Sequence, residues 1–99
     1  MNKLKLVITE NANKDLTLIA DYIAKGNVNA AVKHLTLLLD SCRTLTQFPN
    51  IGTERSDFSH KNILFYVVKK RYIIVYKIQN ENLYIIRILT TFQDICALL

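Results

Sequence analysis

Cations are the residues of this chain best suited by type and spacing to do chemistry. Between Phe58 and Asn80 stand four Lys and one Arg, namely Lys61, Lys69, Lys70, Arg71 and Lys77, and no acid. The whole chain carries a net charge of +5, from 13 Lys+Arg against 8 Asp+Glu, so this one segment holds as much charge as the balance of the molecule. Such a field draws phosphate backbones or an acidic protein surface. The plainer reading is a solvated basic face. Metal-free cleavage of RNA would need more than charge: a base for the 2′-hydroxyl, an acid for the leaving oxygen, and cations for the phosphorane. Lys61, Lys69, Lys70, Arg71 and Arg87 are the cations that could bind a target. No convincing acid–base pair stands beside them. His60 falls in a polar loop and reads as a surface histidine, while His34 lies beside an apolar helical stripe and reads as structural. Tyr66, Tyr72, Tyr76 and Tyr84 fall on strands, where aromatic residues pack. Arg87 is a single charge in an otherwise apolar strand, and an unpaired buried guanidinium is costly. It either pairs with an acid such as Asp94 or opens onto a concave face for a ligand. His60 and Arg87 are thus the catalytic candidates, with nothing adjacent to complete a proton-transfer pair.

Other chemistries find less support. Cys42 and Cys96 have no metal-ligand spacing and no His close by in sequence, so neither a metal nor any other cofactor is expected. Cys42 falls on an apolar helical stripe and reads as a reduced packing thiol, which suits a reducing compartment. Lys3 and Lys5 precede an apolar stretch, but Glu10 interrupts it before a signal sequence would be complete. The longest uninterrupted apolar run, Ile63 to Val68, is far short of the ~20 residues of a spanning helix. The expectation is a cytoplasmic protein that takes neither a membrane nor a small-molecule substrate. Residues 1–99 are read as one domain, and a 51% hydrophobic composition suggests that a partner covers part of its surface.

The elements that must position these residues follow from periodicity. Leu4, Leu6 and Ile8 alternate with Lys3 and Lys5, predicting a strand with one buried face. Thr9 offers a cap and Glu10 a first-turn negative charge to a helix whose stripe is Ala12, Leu16, Ile19, Ala20 and Ile23. Gly26 is expected to end that helix in the left-handed conformation. A second helix starts near Asn27 or Asn29 and carries Val28, Ala31, Val32, Leu35, Leu38, Leu39, Cys42 and Leu45. Pro49 ends it, with Phe48 as a hydrophobic anchor at the corner, and the short connection predicts an antiparallel hairpin. Residues 50–61 read as an irregular loop. Strands follow at Ile63–Val68, Tyr72–Ile78 and Leu83–Leu89, with turns at Lys69-Lys70-Arg71 and Gln79-Asn80-Glu81-Asn82. A short helix is expected from Phe92 to Leu99. The fold class is α+β in the order β-α-α-β-β-β. A helical hairpin packs on one face of an antiparallel sheet and leaves the other partly open. The first strand joins an edge or pairs within the sheet.

In this order and spacing the chain resembles the RelE/ParE toxin superfamily, and its ParE branch more closely. The resemblance spans nearly the whole length. It rests on Thr9-Glu10-Asn11-Ala12, Asp15-Leu16 with Ile19, Asp21-Tyr22-Ile23, Ala30-Ala31 and Phe48-Pro49-Asn50-Ile51-Gly52. It continues through Arg71-Tyr72-Ile73-Ile74-Val75-Tyr76-Lys77-Ile78, Ile85-Ile86-Arg87-Ile88-Leu89 and Asp94. What the resemblance implies is a type II toxin neutralised by a cognate antitoxin. RelE-type members are ribosome-dependent endoribonucleases that cut mRNA with basic residues plus a Tyr or His near the C-terminus. ParE-type members lack that set and poison DNA gyrase. Where the family often carries a His and a basic pair, this chain has Thr90, Thr91, Phe92 and Gln93 before Asp94. The departure counts against RNA cleavage. ParE-type members often carry basic residues there too, so it also bears on gyrase poisoning and leaves open an inactive basic interaction module of the same fold. Inhibition of gyrase by binding is the leading expectation.

Overall fold

The computed structural model describes residues 4–54 and 63–90. Strand β1 (Lys5–Ile8) leads into helix α1 (Glu10–Ala24) and helix α2 (Val28–Gln47). A 3-10 turn (Pro49–Ile51) and a two-residue strand β2 (Thr53–Glu54) follow, then β3 (Ile63–Val68), β4 (Tyr72–Gln79) and β5 (Asn82–Thr90). The sheet order is β1-β5-β4-β3-β2. All pairs are antiparallel except β1 with β5, which is parallel. The predicted α+β order therefore holds, with β4 central as its two apolar faces require. The first strand takes the edge position.

Both helices pack on one face of the sheet. Ala12 and Leu16 from α1 and Leu38, Cys42 and Leu45 from α2 meet Val68, Tyr72, Ile74, Tyr76, Leu83, Ile85 and Ile88. The opposite face is partly open, as expected: Phe65, Ile73, Val75 and Leu89 form a second buried cluster there, while Val67 on the same face is 53% exposed. A bulge in β5 explains how both clusters are served. Val75 pairs with Arg87 but Tyr76 pairs with Ile85, so Ile86 is extra. An extra residue inverts the alternation of faces. Ile85 and Ile88, three positions apart, consequently both join the helix-side core.

Local chemistry sets the helix ends. The Thr9 hydroxyl accepts from the Ala12 N–H, and Asn27 caps α2 by accepting from the Ala30 N–H at 3.0 Å. Gly26 does not take the left-handed conformation; neither glycine has a positive φ. The Gly26 and Asn27 N–H groups both donate to the Ile23 carbonyl, and Asn27 is already extended for the next helix. So short a link leaves no room for a left-handed cap. Two further expectations need correction. Val28 and Val32 are 65% and 59% exposed, because the packed line of α2 begins at Ala31. Phe48 is 57% exposed rather than a buried anchor. The segment read as an irregular loop holds the 3-10 turn and β2, with Thr53 opposite Phe65 and Glu54 opposite Leu64. The expected helix from Phe92 to Leu99 lies outside the described residues, as does Cys96.

Cys42 is fully buried, and burial pushes its thiol up to about 11. An acid raised above its ordinary value of 9.0 is deprotonated first in the unfolded chain. Its contribution is then present below pH 9 and lost as pH climbs toward 11. In native buffer at pH 8 the thiol is expected to resist a disulfide reagent and to react fully in denaturant. Rapid native labelling would contradict the buried assignment.

Candidate functional site

The β3–β4 connection is a tight two-residue turn. The Arg71 N–H donates to the Val68 carbonyl at 3.0 Å, and Lys69 and Lys70 have φ of 53° and 57°. Those values define a type I′ geometry, whose twist matches that of the flanking strands and which favours Asn-Gly. Here two lysines occupy it, and Lys69, Lys70 and Arg71 are all exposed. The β4–β5 turn has the same geometry with Asn80 and Glu81 at φ 51° and 66°.

Arg71 joins this basic turn to a groove of about 410 Å³, lined by Leu18, Ile19, Tyr22 and Ile23 from α1 and by Arg71, Tyr72 and Thr90 from the sheet. Leu18 and Tyr22 are 67% and 77% exposed. At the sheet side of the groove, His34 Nδ1 and the Tyr72 hydroxyl are 2.7 Å apart with their rings edge to face. Burial raises the Tyr72 pKa, and the neighbouring Arg71 charge opposes that rise. The α2 histidine is thus a structural partner of Tyr72, and the contact reaches the lining of the groove.

Arg87 has its acid in Asp15 on α1; Asp94 lies outside the described residues. Nε and Nη2 donate to the two Asp15 oxygens at 2.7 and 3.1 Å. The Ile88 N–H also donates to Asp15 Oδ2, at 2.9 Å. The hydrogen bond to Asp15 raises the Arg87 pKa above its ordinary value. The reason is topological. Strand β1 pairs with β5 only as far as Ile8 opposite Ile85, and the chain then departs into α1. Thr9 donates its hydroxyl to the Ile85 carbonyl at 2.6 Å, and Asp15 takes the next free N–H. Side chains of α1 continue the ladder where β1 stops, and the bulge aims Arg87 at the same carboxylate.

Of the residues singled out in the sequence, the structure brings Arg71 to the groove beside the exposed Lys69 and Lys70. It ties Arg87 to α1. Lys77 stands over the Tyr84 ring, 5.7 Å from its centre. His60 and Lys61 lie outside the described residues. Sequence reasoning missed Asp15, although an acid one position before Leu16 on the buried stripe was a signal that it serves the packed face. It also missed the His34–Tyr72 contact, which joins residues 38 apart and leaves no trace in local pattern.

A helical hairpin on a mostly antiparallel sheet, with a cationic turn beside an apolar groove, defines the class: a small α+β protein. The family model for the ParE toxin of type II toxin–antitoxin systems, parDE, matches residues 6–95, and the chain belongs to that family. Among solved structures, a chain of the chromosomal ParDE system from P. aeruginosa is similar at 20% identity. The match has a TM-score of 0.75 and covers 89% of this chain and 96% of that one. A conserved hypothetical protein from Helicobacter pylori aligns with a TM-score of 0.49 and 14% identity, over 91% of this chain and 97% of that one. No curated protein gives a significant match.

Proposed function

We propose that this ParE-family toxin acts in the cytoplasm by binding and inhibiting DNA gyrase, and that a cognate antitoxin neutralises it. The observation that carries the reading is the division of labour among its cations. Arg87 is held by Asp15 within the fold, whereas Lys69, Lys70 and Arg71 crowd one exposed turn beside the groove. Inhibition by binding asks for such a surface and no proton-transfer chemistry. The exposed Leu18 and Tyr22 suit an antitoxin tail that folds on contact, and its acids would be steered by the basic turn.

Induced expression in bacteria tests the proposal. A DNA-damage response with translation intact is expected, relieved by co-expression of the neighbouring antitoxin frame. Reversing the charges of Lys69, Lys70 and Arg71 together is expected to abolish toxicity while unfolding stays cooperative, since exposed charges contribute little stability. Full toxicity in the folded triple variant would reduce the turn to a solvated face. A harmless chain that ignores its neighbour's product would be an inactive basic module.

A second reading is favoured by one observation. The Tyr72–His34 contact with the Arg71 charge beside it gathers a phenol, an imidazole and a cation at one place, the group types a ribosome-dependent mRNA endonuclease would need. Site-specific mRNA cuts in the ribosomal A site, lost in Tyr72→Phe or His60→Ala, would establish it in place of the gyrase reading.

A further inference from the structure

We infer that the β3–β4 turn is a binding element for the phosphate backbone of duplex DNA. The inference rests on the reading that the basic turn faces the target, but not on gyrase being that target.

Two consecutive left-handed residues are costly for any side chain with a Cβ, and a type I′ turn is built with least strain from Asn-Gly. Lys69 and Lys70 bear that conformation with long charged side chains instead. What the exposed turn presents outward is their charge and reach. The surroundings concentrate the effect. The groove places the end of α1 against Arg71 and Thr90, so Lys25, which follows α1, shares this end of the molecule with Lys69, Lys70 and Arg71. Asp21 on α1 is an acid at the same end. The opposite end of the sheet carries the type I′ turn Asn80-Glu81, whose Glu81 carbonyl accepts from the Lys5 N–H. That end mixes signs, with Lys5 beside Glu81, whereas Lys69, Lys70 and Arg71 are consecutive cations.

Residue type then selects the partner. Lysine is a compact, strongly hydrated charge on a flexible stem, which suits phosphate contacts that need no fixed geometry. The same residue is depleted from the cores of protein–protein interfaces, where it would have to be desolvated. A turn of adjacent lysines at the tip of a hairpin thus fits a phosphate backbone better than an acidic protein surface.

The test uses the purified chain and a fluorescent 20-base-pair duplex, titrated between 50 and 200 mM salt. Each phosphate neutralised contributes about −0.9 to the slope of log affinity against log salt. The double substitution Lys69→Asn, Lys70→Gly keeps the turn geometry and removes both charges. It is expected to reduce the magnitude of the slope by about 2 and to weaken binding at least tenfold, each lost lysine contributing about 1. The same variant is expected to melt several degrees higher, about 4–8 °C for each kcal/mol of relieved strain. The double substitution Lys5→Gln, Lys14→Gln removes equal charge elsewhere and should leave the slope unchanged. Equal losses in both doubles, or no binding of wild type at 50 mM salt, would overturn the inference. So would polyglutamate binding as tightly as the duplex with the same dependence on Lys69 and Lys70, since the turn would then serve an acidic protein. DNA binding that survives all of this without any damage response in cells would remove the gyrase reading and leave the DNA contact standing.

Discussion

Replacing Gly52 by alanine is expected to cost about 3 kcal/mol, from overpacking a tight site and disturbing its hydrogen bonds. The backbone is not the reason: Gly52 has φ −74° and ψ 167°, which any residue adopts. The space is. A Cβ at this position would collide with the Tyr76 hydroxyl and lie 2.8 Å from both Cε1 and Cζ of the ring. Tyr76 cannot give way, because it is fully buried on the central strand. Its hydroxyl also ties down the segment after α2, donating to the Pro49 carbonyl at 2.7 Å and accepting from the Gly52 N–H at 3.0 Å. Urea unfolding measures the effect. The loss corresponds to a fall in melting temperature of roughly 12–24 °C for a domain of this size, at about 4–8 °C per kcal/mol. Tyr76→Phe removes the hydroxyl and with it part of the collision. Gly52→Ala should therefore cost less in the Tyr76→Phe background, with a coupling of about 1 kcal/mol. Gly52→Ala within 0.5 kcal/mol of wild type, a bound taken from ordinary surface substitutions, would mean that the clasp does not constrain the fold.

Asp15→Ala is the second large effect, expected at about 3 kcal/mol. This carboxylate is 11% exposed and answers three donors: two from the Arg87 guanidinium and the Ile88 N–H. Its removal leaves a guanidinium without its partner and a strand N–H without an acceptor. The Arg87 side chain is 30% exposed, so water softens the loss and places it at the low end for a broken ion pair. The reverse substitution, Arg87→Ala, is expected to cost less, about 1–2 kcal/mol. There Asp15 keeps the Ile88 N–H and most of its role at the sheet edge. Asp15→Asn should fall between them, since an amide can still accept from one donor. Denaturant midpoints for the three variants give the order directly. An Arg87→Ala cost equal to or above that of Asp15→Ala would show that the guanidinium, rather than the carboxylate, organises this edge.

Much of the architecture was legible in the linear pattern, because each legible feature is local. Alternation across Leu4, Leu6 and Ile8 and helical spacing through Leu16, Leu38, Cys42 and Leu45 are consequences of how a strand or a helix repeats. Thr9 and Asn27 announce helix starts because a short polar side chain can reach the N–H three residues ahead. The apolar run in Tyr72–Gln79 marks a strand covered on both sides, and β4 is the central strand. Where the pattern misled, a neighbour decided the outcome. Val28, Val32 and Phe48 have apolar side chains at suitable spacing, but more than half of each stays exposed. Gly26 was read as a left-handed cap, yet the Asn27 cap follows so closely that the link closes without one.

The sequence by itself determined the class of fold, the order of its elements, the ParE-like arrangement of its motifs and the cluster of cations at Lys69-Lys70-Arg71. All of these depend on residues near one another in the chain. Only the tertiary structure decided which cations stay outside. Arg87 on β5 and Arg71 beside β4 both adjoin runs rich in β-branched and aromatic residues, and composition does not distinguish them. Arg87 lies where β1 leaves the sheet and a bulge turns its side chain toward Asp15, 72 residues earlier. Arg71 closes a tight turn at the rim of the groove. The difference lies in what the folded chain brings to each guanidinium: the Asp15 carboxylate at 2.7 Å for Arg87, and the rim of the groove for Arg71. Contacts between such distant positions are set by strand order, register and one extra residue in β5, none of which leaves a repeat that can be read along the chain.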